Sequence, residues 1–234
     1  MKKNNISKEK NDDYEVIWID SDERGLSKSR NLAIKNSKAD ICLIADDDMI
    51  YANQYKNIIL EQFNLHTNYD ILVFQIEGIN KKFKKYNKKS KDINFINSMK
   101  ISSVEIAFRR KKIVENNIEF NELFGAGAKY YCGEENIFLY DAIRKKMKIK
   151  YIPIKIADIY LGDSTWFEGY NNRYFITKGA AFTAMSKLFS IPLILQFAFR
   201  KRKLYKERIS TFKVISLMLY GKKEYLETLA NTNI

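Results

Sequence analysis

The chain is poor in the residues that would commit it to several common designs. Two cysteines in 234 residues, Cys42 and Cys132, make no disulfide framework and suit a reducing compartment. One histidine, His66, beside two distant cysteines offers no zinc ligand set. Only two prolines occur while aromatic residues make up 14%, which argues against a disordered chain. Neither a Walker A loop nor a dinucleotide fingerprint is present. The opening MKKNNISKEKNDD has no apolar core, so residues 1–13 read as a leader without structure rather than a secretory signal. The one stretch that resembles a membrane span, Gly179–Phe199, carries Lys187 near its middle and Pro192. The lysine costs about 2.5–3.5 kcal/mol on insertion scales, and the uninterrupted apolar part falls short of the ~20 residues a span needs.

Acid is short as well, and the net charge of +13 is concentrated. Seven lysines fall within Lys81–Lys91 and six basic residues within Arg200–Arg208. Such blocks attract polyanions, whether nucleic acid, acidic lipid or phosphorylated substrate. The lysine-rich stretch 77–100 reads as a mobile surface loop. Along the chain, apolar periodicity predicts strands at Glu15–Ile19, Ile41–Ala45, Ile71–Ile76 and Ile149–Ile156, with Val104–Phe108 at a sheet edge. Helices are predicted from Ser27, as N-cap, to Ser37, from Asn53 to His66, and from Gly133 to Met147. This alternation implies mostly parallel strands with right-handed crossovers. Past residue 178 the pattern turns to apolar-basic helices.

The most informative stretch is Gly25–Asp48, GLSKSRNLAIKNSKADICLIADDD. A glycine turn leads into a helix holding Arg30 and Asn31, then an apolar strand stops in three aspartates. Ligands of open α/β sheets bind at the carboxyl ends of strands, where Asp46, Asp47 and Asp48 fall. Along extended chain Asp46 and Asp48 point the same way, and two converging carboxylates call for a cation between them. Oxygen ligands of this kind suit Mg²⁺ or Mn²⁺ shared with substrate phosphates. The plain alternative is a strand end that opens a loop, helped by the next helix's positive N-terminus.

The order of these features, a Gly-x-Ser-x-x-Arg-Asn helix followed by an apolar strand and Asp-x-Asp, resembles the family-two glycosyltransferases of the GT-A fold. The resemblance spans about Glu15 to Phe167. It implies a GT-A-like, mostly parallel α/β sheet flanked by helices at 14–177, followed by a basic helical tail at 178–234. It also implies a nucleotide-sugar donor, with Arg30, Asp46 and Asp47 on the nucleotide and a divalent metal, Mn²⁺ or Mg²⁺, on Asp46 and Asp48. In that family a Gly-Glu-Asp motif heading a later helix supplies the catalytic carboxylate. Here Gly133-Glu134-Glu135 stands in its place, so Glu135 is the expected base with Glu134 beside it. The glycines of Phe124-Gly-Ala-Gly-Ala128 fit a loop that a sugar approaches closely. Gly162–Phe167, with Trp166, fits an acceptor wall. Family members often add a histidine ligand after the last strand; Asp158 and Asp163 are the candidates here. Two β-α units that normally precede the first helix, and that contact the nucleotide base, are not found ahead of Gly25.

Two other classes compete. An apolar strand ending in Asp-x-Asp also opens haloacid-dehalogenase-type phosphatases, but Ile50 stands where they carry Thr or Val, and Gly162-Asp163 is followed by Ser-Thr-Trp-Phe. A non-catalytic polyanion- or membrane-surface-binding protein fits the lysine blocks, yet no nucleic-acid-binding signature appears. The expectation is therefore a glycosyltransferase acting on a glycan or lipid-linked acceptor. Its place would be cytoplasmic, at the acidic inner face of the membrane, with the tail in the headgroup plane.

Overall fold

A computed structural model describes residues 5–12, 14–162 and 169–232. The strands are β1 (Asn5–Lys10), β2 (Glu15–Asp20), β3 (Ile41–Leu43), β4 (Met49–Tyr51), β5 (Ile71–Gly78), β6 (Lys91–Asp92), β7 (Ile106–Arg109) and β8 (Ile149–Ile159). The α-helices are α1 (Leu26–Asn36), α2 (Tyr55–Leu65), α3 (Phe95–Ser98), α4 (Arg110–Glu115), α5 (Glu134–Arg144), α6 (Asn172–Met185), α7 (Ser190–Arg200) and α8 (Thr211–Thr232).

The main sheet runs β3-β7-β5-β8-β4. β5 and β8 pair in parallel, with Val73 opposite Tyr151, whereas β7 is antiparallel to both β3 and β5. β3, β5 and β8 thus share one direction, as the β-α-β alternation implies, but the sheet is mixed rather than mostly parallel. β7 inserts antiparallel between β3 and β5 instead of lying at an edge, and β4 and β6 also pair antiparallel with β8. Ile106, Ala107 and Phe108 of β7 are buried. β3 therefore sits at the sheet's end and is only half-buried. β8 is long enough to pair β5 along one edge and both β6 and β4 along the other.

Side-chain alternation along β5 feeds two layers. Ile71 and Val73 join Phe108, Phe120, Phe138 and Leu139 on the α5 face, while Leu72, Phe74 and Ile76 pack with Ile59 and Phe63 of α2 on the other. α5 is buried on two sides, because Ile137 and Tyr140 face a third cluster built by α6, α7 and α8. The boundary expected at 177/178 falls inside α6, and the tail helices share a core with α5. α6 and α8 cross closely: a Cβ on Gly179 would lie 1.9 Å from the Met218 carbonyl oxygen, and one on Gly221 would lie 2.0 Å from that of Ile176.

Three local expectations are corrected. Residues 5–10, read as part of an unstructured leader, form β1, which pairs antiparallel with β2. All six residues of β1 are exposed, so no apolar periodicity marks it. The lysine-rich segment 77–100 is not a bare surface loop. Lys84 is half-buried and ion-paired with Glu105, which is 1% exposed, and β6 and α3 dock the rest. Ser27 is not the N-cap, a place taken by Gly25. Its hydroxyl instead donates to the Phe124 carbonyl at 2.6 Å. Pro192 lies in the first turn of α7, where its missing N–H costs no helical bond. Among the described residues no helix is long and apolar enough to cross a membrane.

Candidate active site

The site forms where the C-terminal end of β3 meets the first turns of α1 and α5. Arg30 joins them. Its Nη2 donates to Asp46 Oδ1 at 3.2 Å and to Ser103 Oγ at 3.0 Å, and its Nη1 donates to Glu134 Oε1 at 3.1 Å. The guanidinium also lies over the Phe120 ring, 5.4 Å from its centroid. A planar fork that can serve two carboxylates and an aromatic face at once requires arginine rather than lysine.

Asn31, next along α1, fastens the opposite wall. Its amide donates to the Phe120 carbonyl and accepts from the Phe120 N–H, both at 2.8 Å. The Gly125–Ala128 loop then closes on α1, with the Leu26 N–H donating to the Ala126 carbonyl at 2.9 Å. A Cβ on Gly125 would stand 3.2 Å from Ser27 Oγ and 3.4 Å from Glu134 Cδ, at a φ of +103° that side chains rarely adopt. That glycine is required by the protein's own packing around Glu134.

The two glutamates have different surroundings. Glu134 is buried and held by Arg30. Glu135 accepts no side-chain hydrogen bond among the described residues and lies within electrostatic reach of Lys178 of α6. Burial and the adjacent Glu134 charge push its pKa up to about 7, against the pull of Lys178 and Arg30. Burial works against the Lys178 ammonium, but the negative charges that Cys132, Tyr174 and both glutamates carry when ionised outweigh it and raise its pKa. A carboxylate poised near neutrality suits proton transfer.

Of the aspartates, Asp46 is committed to Arg30, while Asp47 and Asp48 are exposed. Burial of its carboxyl, together with the charges of Asp46 and Asp47, raises the Asp48 pKa. A divalent cation relieves such crowding, so Asp46 and Asp48 fit the metal role. Among the described residues no three His, Cys, Asp or Glu side chains converge, so diphosphate oxygens and water would complete the coordination. Asp158 is drawn off by Lys155 at 2.9 Å and does not join them. Asp163 and Trp166 lie outside the described residues. Cys42 and Cys132 are free thiols, and His66 caps the C-terminus of α2.

Three participants carry no sequence signal. Ser103 and Lys178 come from segments remote in sequence from either acidic motif. The Tyr131 hydroxyl is buried without a hydrogen-bond partner among the described residues, under Arg173 and near Lys178.

The fold has relatives. The chain is similar to S. aureus TarS 1-349 in complex with UDP-GlcNAc, with a TM-score of 0.58 at 14% identity, covering 79% of this chain and 55% of that one. It is also similar to S. aureus TarS, with a TM-score of 0.55 at 15% identity, covering 76% of this chain and 31% of that one. The chain therefore spans about half or less of the length of these proteins. At such identities the likeness establishes the fold, which is that of GT-A glycosyltransferases. No curated protein matches the sequence. The family model for glycosyl transferase family 2 matches residues 4–128, taking in α1, Arg30 and the three aspartates and ending before Glu134. Match and fold agree: the chain belongs to glycosyl transferase family 2.

Proposed function

We propose that this chain transfers a sugar, with inversion and metal assistance, from a nucleotide-diphosphate sugar to a glycan or lipid-linked acceptor. One observation carries the reading. Arg30 bonds Asp46 and Glu134 together, so the acidic strand end and the acidic helix start make one site rather than two unrelated surface features. That TarS was crystallised with UDP-GlcNAc and with UDP supports a nucleotide-sugar donor.

In the proposed reaction the acceptor hydroxyl attacks the anomeric carbon as Glu135 takes its proton. The bond to the diphosphate breaks, and its electron pair leaves with the nucleotide diphosphate. Arg30 holds Glu134 and Asp46 in register and keeps positive charge beside the departing phosphates. A cation on Asp46 and Asp48 would neutralise charge developing there. Lys178 keeps the base from being protonated outright.

The C-terminal helices support a peripheral place on the acidic inner face of the membrane. Ile191, Leu195 and Phe199 recur every fourth residue on α7 and are exposed, flanking the buried Ile194 and Ala198. Arg200, Lys201, Arg202 and Lys203 follow at once. An apolar stripe ending in cations suits a headgroup layer.

A screen of nucleotide-sugar donors for acceptor-dependent release of nucleotide diphosphate tests the reading. Release with at least one donor, lost in Glu135→Gln, is the expected result. No release from any donor, by this chain or by a version extended upstream, would overturn it.

A further inference from the structure

A cavity of about 510 Å³ opens between residues 84–101, β5, β8, α6 and α7, and its charge is lopsided. Lys84, Lys85, Lys91 and Lys100 line one wall, Arg200 and Lys201 another, and Lys178 lies between them. The single carboxylate lining it, Glu105, is neutralised by Lys84. None of the other six cations has an ion-pair partner among the described residues. The cavity meets the candidate active site at Lys178, the residue within electrostatic reach of Glu135. The space beside the base is where an acceptor hydroxyl has to arrive.

The remaining lining mixes tyrosines and the amides of Asn87, Asn97, Asn136 and Gln196 with a larger apolar share. Val73, Ile93, Met99, Ile101, Phe182 and Phe197 line it beneath the charges. Lysines acting as point charges suit a phosphate, whereas a planar carboxylate is met best by the arginine fork. The aromatic rings are poor stacking platforms for bases. Tyr86 and Tyr151 lie against each other, with centroids 6.3 Å apart, and their hydroxyls are engaged by the Ile76 N–H and the Asn87 carbonyl. The helix that supplies Phe197 and Arg200 to the cavity also presents the exposed stripe of Ile191, Leu195 and Phe199.

We propose that this cavity binds the phosphate and adjoining apolar carbons of a lipid-linked acceptor, holding a hydroxyl beyond the phosphate within reach of Glu135. The acceptor role rests on the transferase reading; the binding itself does not. Phosphate on a lipid and free phosphate share the charge chemistry, and the apolar lining favours the lipid.

The test is equilibrium binding of octyl phosphate, below its micellar concentration, to the whole chain, without UDP and with saturating UDP. Octyl glucoside and inorganic phosphate are the comparisons. Octyl phosphate should bind at least tenfold more tightly than either, and Lys85→Glu/Lys201→Glu should weaken it at least tenfold while UDP affinity stays within twofold. Should that variant not fold, Lys85→Gln/Lys201→Gln should show a loss in the same direction. Equal binding of octyl glucoside would make the cavity merely apolar, and equal binding of inorganic phosphate would make it a free-phosphate site. Either result overturns the proposal, as would displacement by UDP or indifference to the charge changes. Selective octyl phosphate binding without any donor turnover would sustain the cavity and overturn the transferase reading alone.

Discussion

Arg30 and Glu134 stand 104 residues apart in the chain and 3.1 Å apart in space. Their side chains are 10% and 9% exposed, so neither charge has much water to fall back on. Removing one partner of such a pair strands the other. Arg30→Gln should therefore cost about 3 kcal/mol in urea unfolding. Arg30→Gln/Glu134→Gln should recover part of that loss without recovering activity.

As the proposed base, Glu135 should set the pH behaviour. As a base it must be unprotonated, so kcat/KM should rise with pH and reach half its plateau near pH 7. Glu135→Gln should lower turnover by roughly 10²–10⁴ with donor binding little changed. Lys178→Met removes a charge that favours the carboxylate and should move the acid limb to higher pH. The stability sign is the reverse of the usual carboxylate case. Between the ordinary value of 4.5 and about 7 the folded chain keeps a proton that the unfolded chain has lost. Rising pH through that window should lower stability, read as a falling Tm.

Asp48 is exposed and its side chain bonds to no other side chain among the described residues, so Asp48→Asn should fold normally. In calorimetry with UDP, Mn²⁺ should strengthen binding to the parent chain and leave the variant's affinity unchanged. Mn²⁺ enhancement that survives the substitution would place the cation elsewhere.

Gly179 and Gly221 should be the least tolerant glycines in the C-terminal region. A methyl at either meets a carbonyl oxygen at about 2 Å, which forces α6 and α8 apart. Overpacking of this kind costs typically 1–3 kcal/mol. Each alanine variant should lose that much in thermal or urea unfolding, whereas Gly162→Ala, with open space around it, should not.

Membrane attachment calls for point changes rather than truncation, because Val214 and Met218 of α8 are core residues. Leu195→Ser/Phe199→Ser alters exposed positions only. In flotation with acidic liposomes the parent chain should bind at low salt and release at high salt, and the variant should stay unbound. Binding that resists both salt and alkaline extraction would contradict a headgroup-plane arrangement.

Elements with an apolar face were legible in the sequence. Ile59 and Phe63 of α2, the apolar run Ile71–Ile76 and the strand from Ile149 all announce themselves by their apolar residues and all reach the core. β1 escaped because it has no buried face, and β7's interior place escaped because a four-residue strand carries no mark of its neighbours. Lys84 misled for a different reason: a lysine block looks solvated until the buried partner, Glu105, is known. The site divides likewise. Arg30, the aspartates and the glutamate pair lie in two compact motifs, but Ser103 and Lys178 act across the fold and have no spacing rule to betray them.

The close crossing of α6 and α8 reaches beyond packing. Gly179, pressed against the Met218 carbonyl, is the immediate neighbour of Lys178, and Lys178 lies within electrostatic reach of the carboxylate expected to do the chemistry. A helix remote in sequence from both acidic motifs thus helps to fix where the ammonium stands. Under the proposed mechanism, mutational drift in residues 211–232 should be filtered by proton transfer on α5, so that the buried side of this helix varies as slowly as a catalytic loop while its outer side changes freely.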